Sequence, residues 1–192
     1  TLIVKNETFG NDTINLTKGE KLTIDLTAYT DLTSSDDLKG LVKAIGDNLV
    51  FITDNGKITL MNFAKGVNAD VYVKLYNNDT LVNLSTDDVL DYGDSDFTTK
   101  ITKNKKGVIT AQTATFTGSR FDETITVTDE LDGYSKTIKT GEGVNVVDVS
   151  SDGNVSITGG SKVDTITVTG NNSKTTISAG NGENVITVQD GS

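Results

Sequence analysis

The stretch GGSKVDTITVTGNNSKTTISAGNGENVITV, residues 159–188, states one pattern twice. In each half, glycines and an Asp or Asn lead into four residues, TITV at 165–168 and VITV at 185–188, in which apolar side chains recur at alternate positions. Such alternation is the mark of a strand with one buried face: Ile166 and Val168 point one way, Thr165 and Thr167 the other. A single unit of this kind has too little apolar surface to fold alone. Stacked units bury their Ile and Val columns against one another, and stability then grows through nearest-neighbour contacts.

The same pattern extends toward the N-terminus. Gly118, Gly141, Gly160 and Gly180 align with separations of 23, 19 and 20 residues, and four residues after each comes Asp122, Asn145, Asp164 or Asn184. Polar turns (DELDG, SSDGN, GNNSK) and second short strands (KTIKT, VSIT, TTIS) complete the first three units. NDTINLTKGEKLTIDL, within residues 8–26, has the same plan. These features predict an all-β protein with a repetitive, β-roll or β-helix-like region at 113–192. Before it lies a mainly β region at 1–112, with a repeat-like unit at 8–26 and a non-repetitive part at 31–112. Paired β-sandwiches are the rival, because two strands joined by a tight turn also form antiparallel hairpins.

Within 31–112, SSDDLKGLVKAIG places Leu38, Leu41, Val42 and Ile45 at helical spacing after a Ser/Asp cap and predicts a short helix. STDDVLDYG predicts one further helical turn. DNLVFITDNGKITLMNF is two strands around DNG, a strong hairpin signal. ADVYVKLYNNDTLVNLS predicts a second strand pair turning at 77–79. KITKNKKGVITAQTATFTG predicts a third, with a lysine-rich tip.

Composition narrows the chemistry. The chain has 192 residues, a formal charge of −10, and neither Cys, His nor Pro. Disulfides, thiol chemistry and the usual ligands of zinc, copper and haem are therefore excluded, leaving oxygen ligands. The negative charge argues against nucleic-acid and anionic-membrane partners and favours cations. No apolar run approaches the length of a membrane helix. Thr fills roughly a sixth of the chain, as suits strands with wet outer faces. No nucleophile–base motif stands out, and the expectation is a non-enzymatic protein.

GGSKVDTIT (159–167), AGNGENVIT (179–187) and TGEGVNVVD (140–148) resemble degenerate copies of the nonapeptide of RTX, or haemolysin-type calcium-binding, proteins. DNLVFITDNGKITLMNF resembles a strand-turn-strand segment found beside such repeats. The resemblance implies a parallel β-roll holding calcium between turns, in type I secreted cell-surface proteins such as surface-layer proteins and adhesins. It implies calcium at Asp122 and Asp164, with Asp12 and Asp148 as weaker candidates. Lys162 stands at a usual glycine position, Asn145 and Asn184 replace Asp, and the period is nearer twenty than eighteen. Calcium takes about 6–8 oxygens, several of them carboxylate. The Asp/Asn positions therefore have a second reading as turn formers.

Two functions follow as expectations. One is a structural module of a bacterial surface layer or large secreted surface protein, with copies of itself or neighbouring modules as partners. The other is a calcium-dependent adhesin module binding glycans or host surfaces. Tyr72 and Tyr76 flank Lys74 on one strand face in VYVKLY and are candidate glycan contacts, or else half-buried packing residues. Asp87, Asp88, Asp91, Asp94 and Asp96 form an acidic cluster that reads as a cation loop or as a solvated turn. The lysines at 100, 103, 105 and 106 read as a solvated edge or a binding patch. Seven N-x-S/T sequons, Asn6, Asn11, Asn15 and Asn171 among them, are possible glycan acceptors.

Overall fold

The structure, a computed structural model, describes residues 2–5, 10–53, 56–65, 70–85, 89–171 and 174–189. It is all-β, built mostly of strands in several sheets, and divides into two compact units, Thr1–Leu90 and Asp91–Ser192. Among the described residues no helix is long and apolar enough to cross a membrane.

In the first unit, β1 (Leu2–Lys5), β3 (Lys21–Asp25), β7 (Asp70–Lys74) and β8 (Val82–Leu84) form one sheet in that order. β2 (Asn11–Asn15), β6 (Gly56–Met61), β5 (Asn48–Thr53) and β4 (Val42–Ile45) form another. β1, β3 and β7 run parallel, as do β2 and β6. Leu22 and Ile24 register with Val71 and Val73, and all four are buried. Across β5 and β6, Leu49 faces Leu60 and Phe51 faces Ile58, again buried. The chain thus passes from β2 to β3 and again from β6 to β7, each time from the second sheet to the first. The part read as non-repetitive contains another copy of the 8–26 plan, β6–β7, separated from the first by the insertion of β4 and β5.

Two sequence expectations fail here. The predicted helix at SSDDLKGLVKAIG is only a 3-10 turn, Asp36–Leu38, followed by β4. Gly46, at φ 62, turns the chain directly into β5, with Ile45 opposite Asn48, so pairing with β5 overrides the helical spacing. Asp37 holds the approach to this turn by accepting the Thr33 and Ser34 backbone N–H groups, both at 2.8 Å. The helical turn expected in STDDVLDYG is instead strand β9 (Val89–Tyr92); Thr86, Asp87 and Asp88 lie outside the described residues. The DNG hairpin forms as expected, Thr53 opposite Gly56, although Asp54 and Asn55 also lie outside the described residues. The pair β7–β8 is antiparallel, with Asn77 at φ 49 in its turn.

The second unit has two five-stranded sheets. One is ordered β10 (Thr98–Lys103), β11 (Ile109–Ser119), β13 (Ser135–Gly141), β15 (Val155–Thr158), β17 (Thr175–Ser178). The other is ordered β18 (Val185–Val188), β16 (Asp164–Thr169), β14 (Asn145–Ser150), β12 (Asp122–Val127), β9. From β11 onward successive strands alternate between the sheets, so each coil places one strand in each. Neighbours from β11 to β17 and from β12 to β18 are parallel, not the antiparallel hairpins of the sandwich reading. Ile125, Val147, Ile166 and Ile186 form one column; Val127, Val149, Val168 and Val188 a second; Phe116, Ile138, Ile157 and Ile177 a third. The expected boundary at 112/113 falls inside β11, which pairs with β10 on one side and β13 on the other.

Close stacking explains the aligned glycines. A Cβ on Gly160 would collide with the Gly141 carbonyl oxygen of the preceding coil. The columns can approach to strand-pairing distance only with no side chain there.

Candidate functional site

Where the chain enters β12, β14, β16 and β18, the inner face of the strands begins with polar residues. Glu123 registers with Asn145, Asn145 with Asp164, and Asn184 follows on the next coil. Glu123 is 1 % exposed, Asn145 1 % and Asp164 0 %. Each lies two residues before a core Ile or Val, so the period that buries Ile125, Val147 and Ile166 buries these groups as well.

The column is bonded along the stack. Asp164 Oδ1 accepts the Asn145 side-chain N–H at 2.9 Å, and the Asp164 backbone N–H donates to Asn184 Oδ1 at 2.7 Å. The Asn145 side chain also donates to the Gly143 carbonyl at 2.8 Å. Glu123 Oε1 accepts from the Ser119 backbone N–H at 2.8 Å and the Ser119 hydroxyl at 2.6 Å. The remaining oxygens, Glu123 Oε2, Thr140 Oγ1, Asn145 Oδ1 and Asp164 Oδ2, are buried without a hydrogen-bond partner. A Cβ on Gly118 would strike both Glu123 Oε2 and the Thr140 carbonyl oxygen; one on Gly159 would strike both Asp164 Oδ2 and the Ala179 carbonyl oxygen. Carboxyl and carbonyl oxygens therefore crowd together at two levels. Burial pushes the Glu123 carboxyl up to about 7, against the opposing pull of its Ser119 hydrogen bonds.

A second ladder runs along the opposite turns. Asp132 Oδ1 accepts the Asp152 backbone N–H at 2.7 Å, and Asp152 Oδ1 accepts the Asn171 backbone N–H at 2.8 Å. Lys136 stands in the inward column Ala114, Lys136, Val155, Thr175 and is 1 % exposed. Its Nζ donates to the Tyr134 carbonyl at 3.0 Å and to the Asp152 carbonyl. Burial lowers its pKa, partly offset by the charges of Asp132, Asp152 and Asp94.

Among the predicted metal residues, only Asp164 lies in the buried column. Asp122 is one position out of it: counting from Gly118 puts Asp122 level with Asn145, but the strand register puts Glu123 there, and Ser119 rather than Gly118 pairs with Gly141. Asp122 Oδ1 instead accepts the Val144 backbone N–H at 2.7 Å. Asp148 is exposed on the outer face of β14, level with Thr126 and Thr167. Asp12 is exposed on β2 in the first unit. Among the described residues no three acidic side chains gather as a metal-binding group.

Tyr72 is half-buried on β7 with the Lys21 Nζ 4.7 Å from its ring centroid, a cation–π contact across the sheet. Tyr76, also half-buried, follows the strand and donates its backbone N–H to the Leu32 carbonyl at 2.9 Å. In the acidic cluster, Asp94 accepts the Thr128 backbone N–H at 3.0 Å and Asp96 accepts the Gly93 N–H at 2.9 Å, so both brace turns. Lys100, Lys103, Lys105 and Lys106 are all exposed.

Sequence reasoning missed Glu123 and Lys136. Counting backward from the core Ile and Val of each strand, rather than forward from the glycine, would have found Glu123. Scans against protein-family models, curated proteins and solved structures each return no match.

Proposed function

We propose that this chain is a structural, non-enzymatic module of a bacterial surface-layer or other large secreted surface protein. On this reading it is exported by a type I route, displayed at the cell surface, and partnered by copies of itself or neighbouring modules. One observation carries the reading: from β11 to β18 four successive coils stack in register, with unbroken apolar columns and a polar ladder at each turn. We read these coils as a two-sheet β-roll. Such a stack derives its rigidity from a repeated interface and can be lengthened coil by coil, as a spacer or lattice unit requires. Electron microscopy of the full-length protein, with protease shaving of intact source cells, tests this. Ordered arrays and surface cleavage are expected; a protein confined inside the cell overturns it.

The partnerless oxygens favour a second reading, a calcium-dependent adhesin module binding glycans. Glu123 with the Thr140 carbonyl at one level, and Asp164 with the Ala179 carbonyl at the other, would each help to hold a separate ion. Its charge would neutralise buried carboxylate and tie adjacent coils. Asp12 and Asp148, both exposed, do not fit such a buried site. A rise in melting temperature with millimolar calcium, reversed by chelator, is expected on this reading, as is glycan binding lost in Tyr72→Ala. No shift discards the metal.

A further inference from the structure

Two surfaces in the interior of the second unit's sequence stand open. The first is the arm formed by β10 and β11. Every residue from Thr98 to Ala111 is exposed, so the hairpin buries neither face. β11 pairs with β13 only from Thr113 onward, and residues 109–112 and the tip project past the coils. A two-stranded hairpin of this kind gains little from its own packing. Ile101, Val108 and Ile109 are 47 %, 58 % and 48 % exposed on it. Lys103 pairs with Ile109 and lies two residues beyond Ile101, so these three share a face. Lysines on β10 would suffice to guard a sheet edge, but Lys105 and Lys106 stand in the tip, where there is no edge to guard.

The second surface is the outer face of β14 and β16. Both strands have a neighbour on each side, so a further coil at either end of the stack would leave this face uncovered. Val144, Val146 and Val163 are 44 %, 45 % and 40 % exposed there. Asp122 accepts the Val144 backbone N–H from the neighbouring strand, and Asp148 follows Val146 two residues on along the same face, so acidic side chains flank the valines. Charge divides the chain in the same way. From Phe97 to Phe121 it has four lysines and Arg120 and no Asp or Glu, whereas the rest has 12 basic against 27 acidic residues.

We propose, on the footing of the structural-module reading above, that the β10–β11 arm docks on the outer face of β14 and β16 in a second copy of this chain. Ile101 and Ile109 then cover the valines, and the arm's lysines meet Asp122 and Asp148. Charge complementarity combined with exposed apolar surface on both sides selects this occupant. An anionic polymer would engage the lysines but leave Ile101, Val108 and Ile109 in water. Arm and acceptor face are different surfaces, so a copy defective in one can still pair with a copy defective in the other.

Sedimentation of the full chain from micromolar to millimolar concentration, at about 20 mM and about 0.5 M NaCl, tests this. Oligomers that form at the lower salt and dissociate at the higher are expected. Lys103→Glu/Lys105→Glu on the arm and Val146→Lys on the face, all at exposed positions, should each weaken association about tenfold or more. Mixing the arm variant with the face variant leaves one intact contact and should restore a 1:1 complex of twice the 20.3 kDa chain mass, which also shows that both variants fold. Lys139→Glu, exposed on β13, should leave association unchanged. A chain monomeric under every condition, oligomers indifferent to either variant, or a mixture no larger than its parts overturns the assignment. So does a monomer that instead binds phosphatidylglycerol vesicles through these lysines. Salt-sensitive oligomers of a protein confined inside the cell would keep this contact and remove the surface reading; a surface-displayed monomer would do the reverse.

Discussion

One oxygen of Asp164, Oδ1, accepts both the side-chain N–H of Asn145 at 2.9 Å and its backbone N–H at 3.2 Å, joining two coils inside the fold. The other oxygen has no hydrogen-bond partner and faces the Ala179 carbonyl across Gly159. Asp164→Ala strands one Asn145 side-chain N–H, while the backbone N–H keeps the Val163 carbonyl at 3.3 Å, and is expected to cost about 1–3 kcal/mol in urea unfolding. Asp164→Asn keeps an acceptor and can turn an N–H toward the crowded carbonyl, so it should be neutral or stabilising. A large loss in the Asn variant would mean that the site needs negative charge, as a bound cation does.

Glu123 makes stability depend on pH. Its carboxyl is raised from 4.5 to about 7 in the folded chain, so the folded state binds the proton more tightly than the unfolded state. Its contribution is fully present below about pH 4.5 and is lost as pH rises through 7, up to about 3 kcal/mol. Glu123→Gln should remove this slope and melt higher than the unaltered chain at pH 8, with little difference at pH 4. Parallel melting curves against pH check it.

The coils are legible in the sequence because period-two alternation is local: Ile166 and Val168 declare a face without help from the rest of the chain. The polar column is half legible. Asp164 and Asn145 fall at a constant distance from their glycines, but the first coil has one residue more before its strand, and register, not glycine spacing, decides that Glu123 rather than Asp122 turns inward. Local spacing misleads at Leu38, Leu41, Val42 and Ile45, which satisfy a helical pattern as readily as the observed turn and strand. There the deciding contact is with β5. The second copy of the β2–β3 plan, β6–β7, is hidden for the same reason: its partners lie across an inserted hairpin.

Lys136 packs its methylenes in an apolar column and spends its charge on turn carbonyls. Lys136→Met should retain the packing and lose the donors, at about 1–2 kcal/mol. Lys136→Ala loses both and should cost about 2–4 kcal/mol. Equal losses in chemical denaturation would mean that the methylenes contribute nothing.

Position along one column should set the cost of the same substitution. Ile166 is enclosed by Val147 before it and Ile186 after it, whereas among the described residues Ile186 has a register partner only in β16 and is 48 % exposed. Ile166→Ala should therefore cost about 2–5 kcal/mol, the range for a large-to-small change in a packed core. Ile186→Ala, which removes atoms already half in water, should cost about half as much or less. Ile166→Asp places a charge between two apolar neighbours and should unfold the adjacent coils together, seen as loss of amide protection in β14, β16 and β18 at once. If protection were lost in β16 alone, the coils would not be coupled through this column.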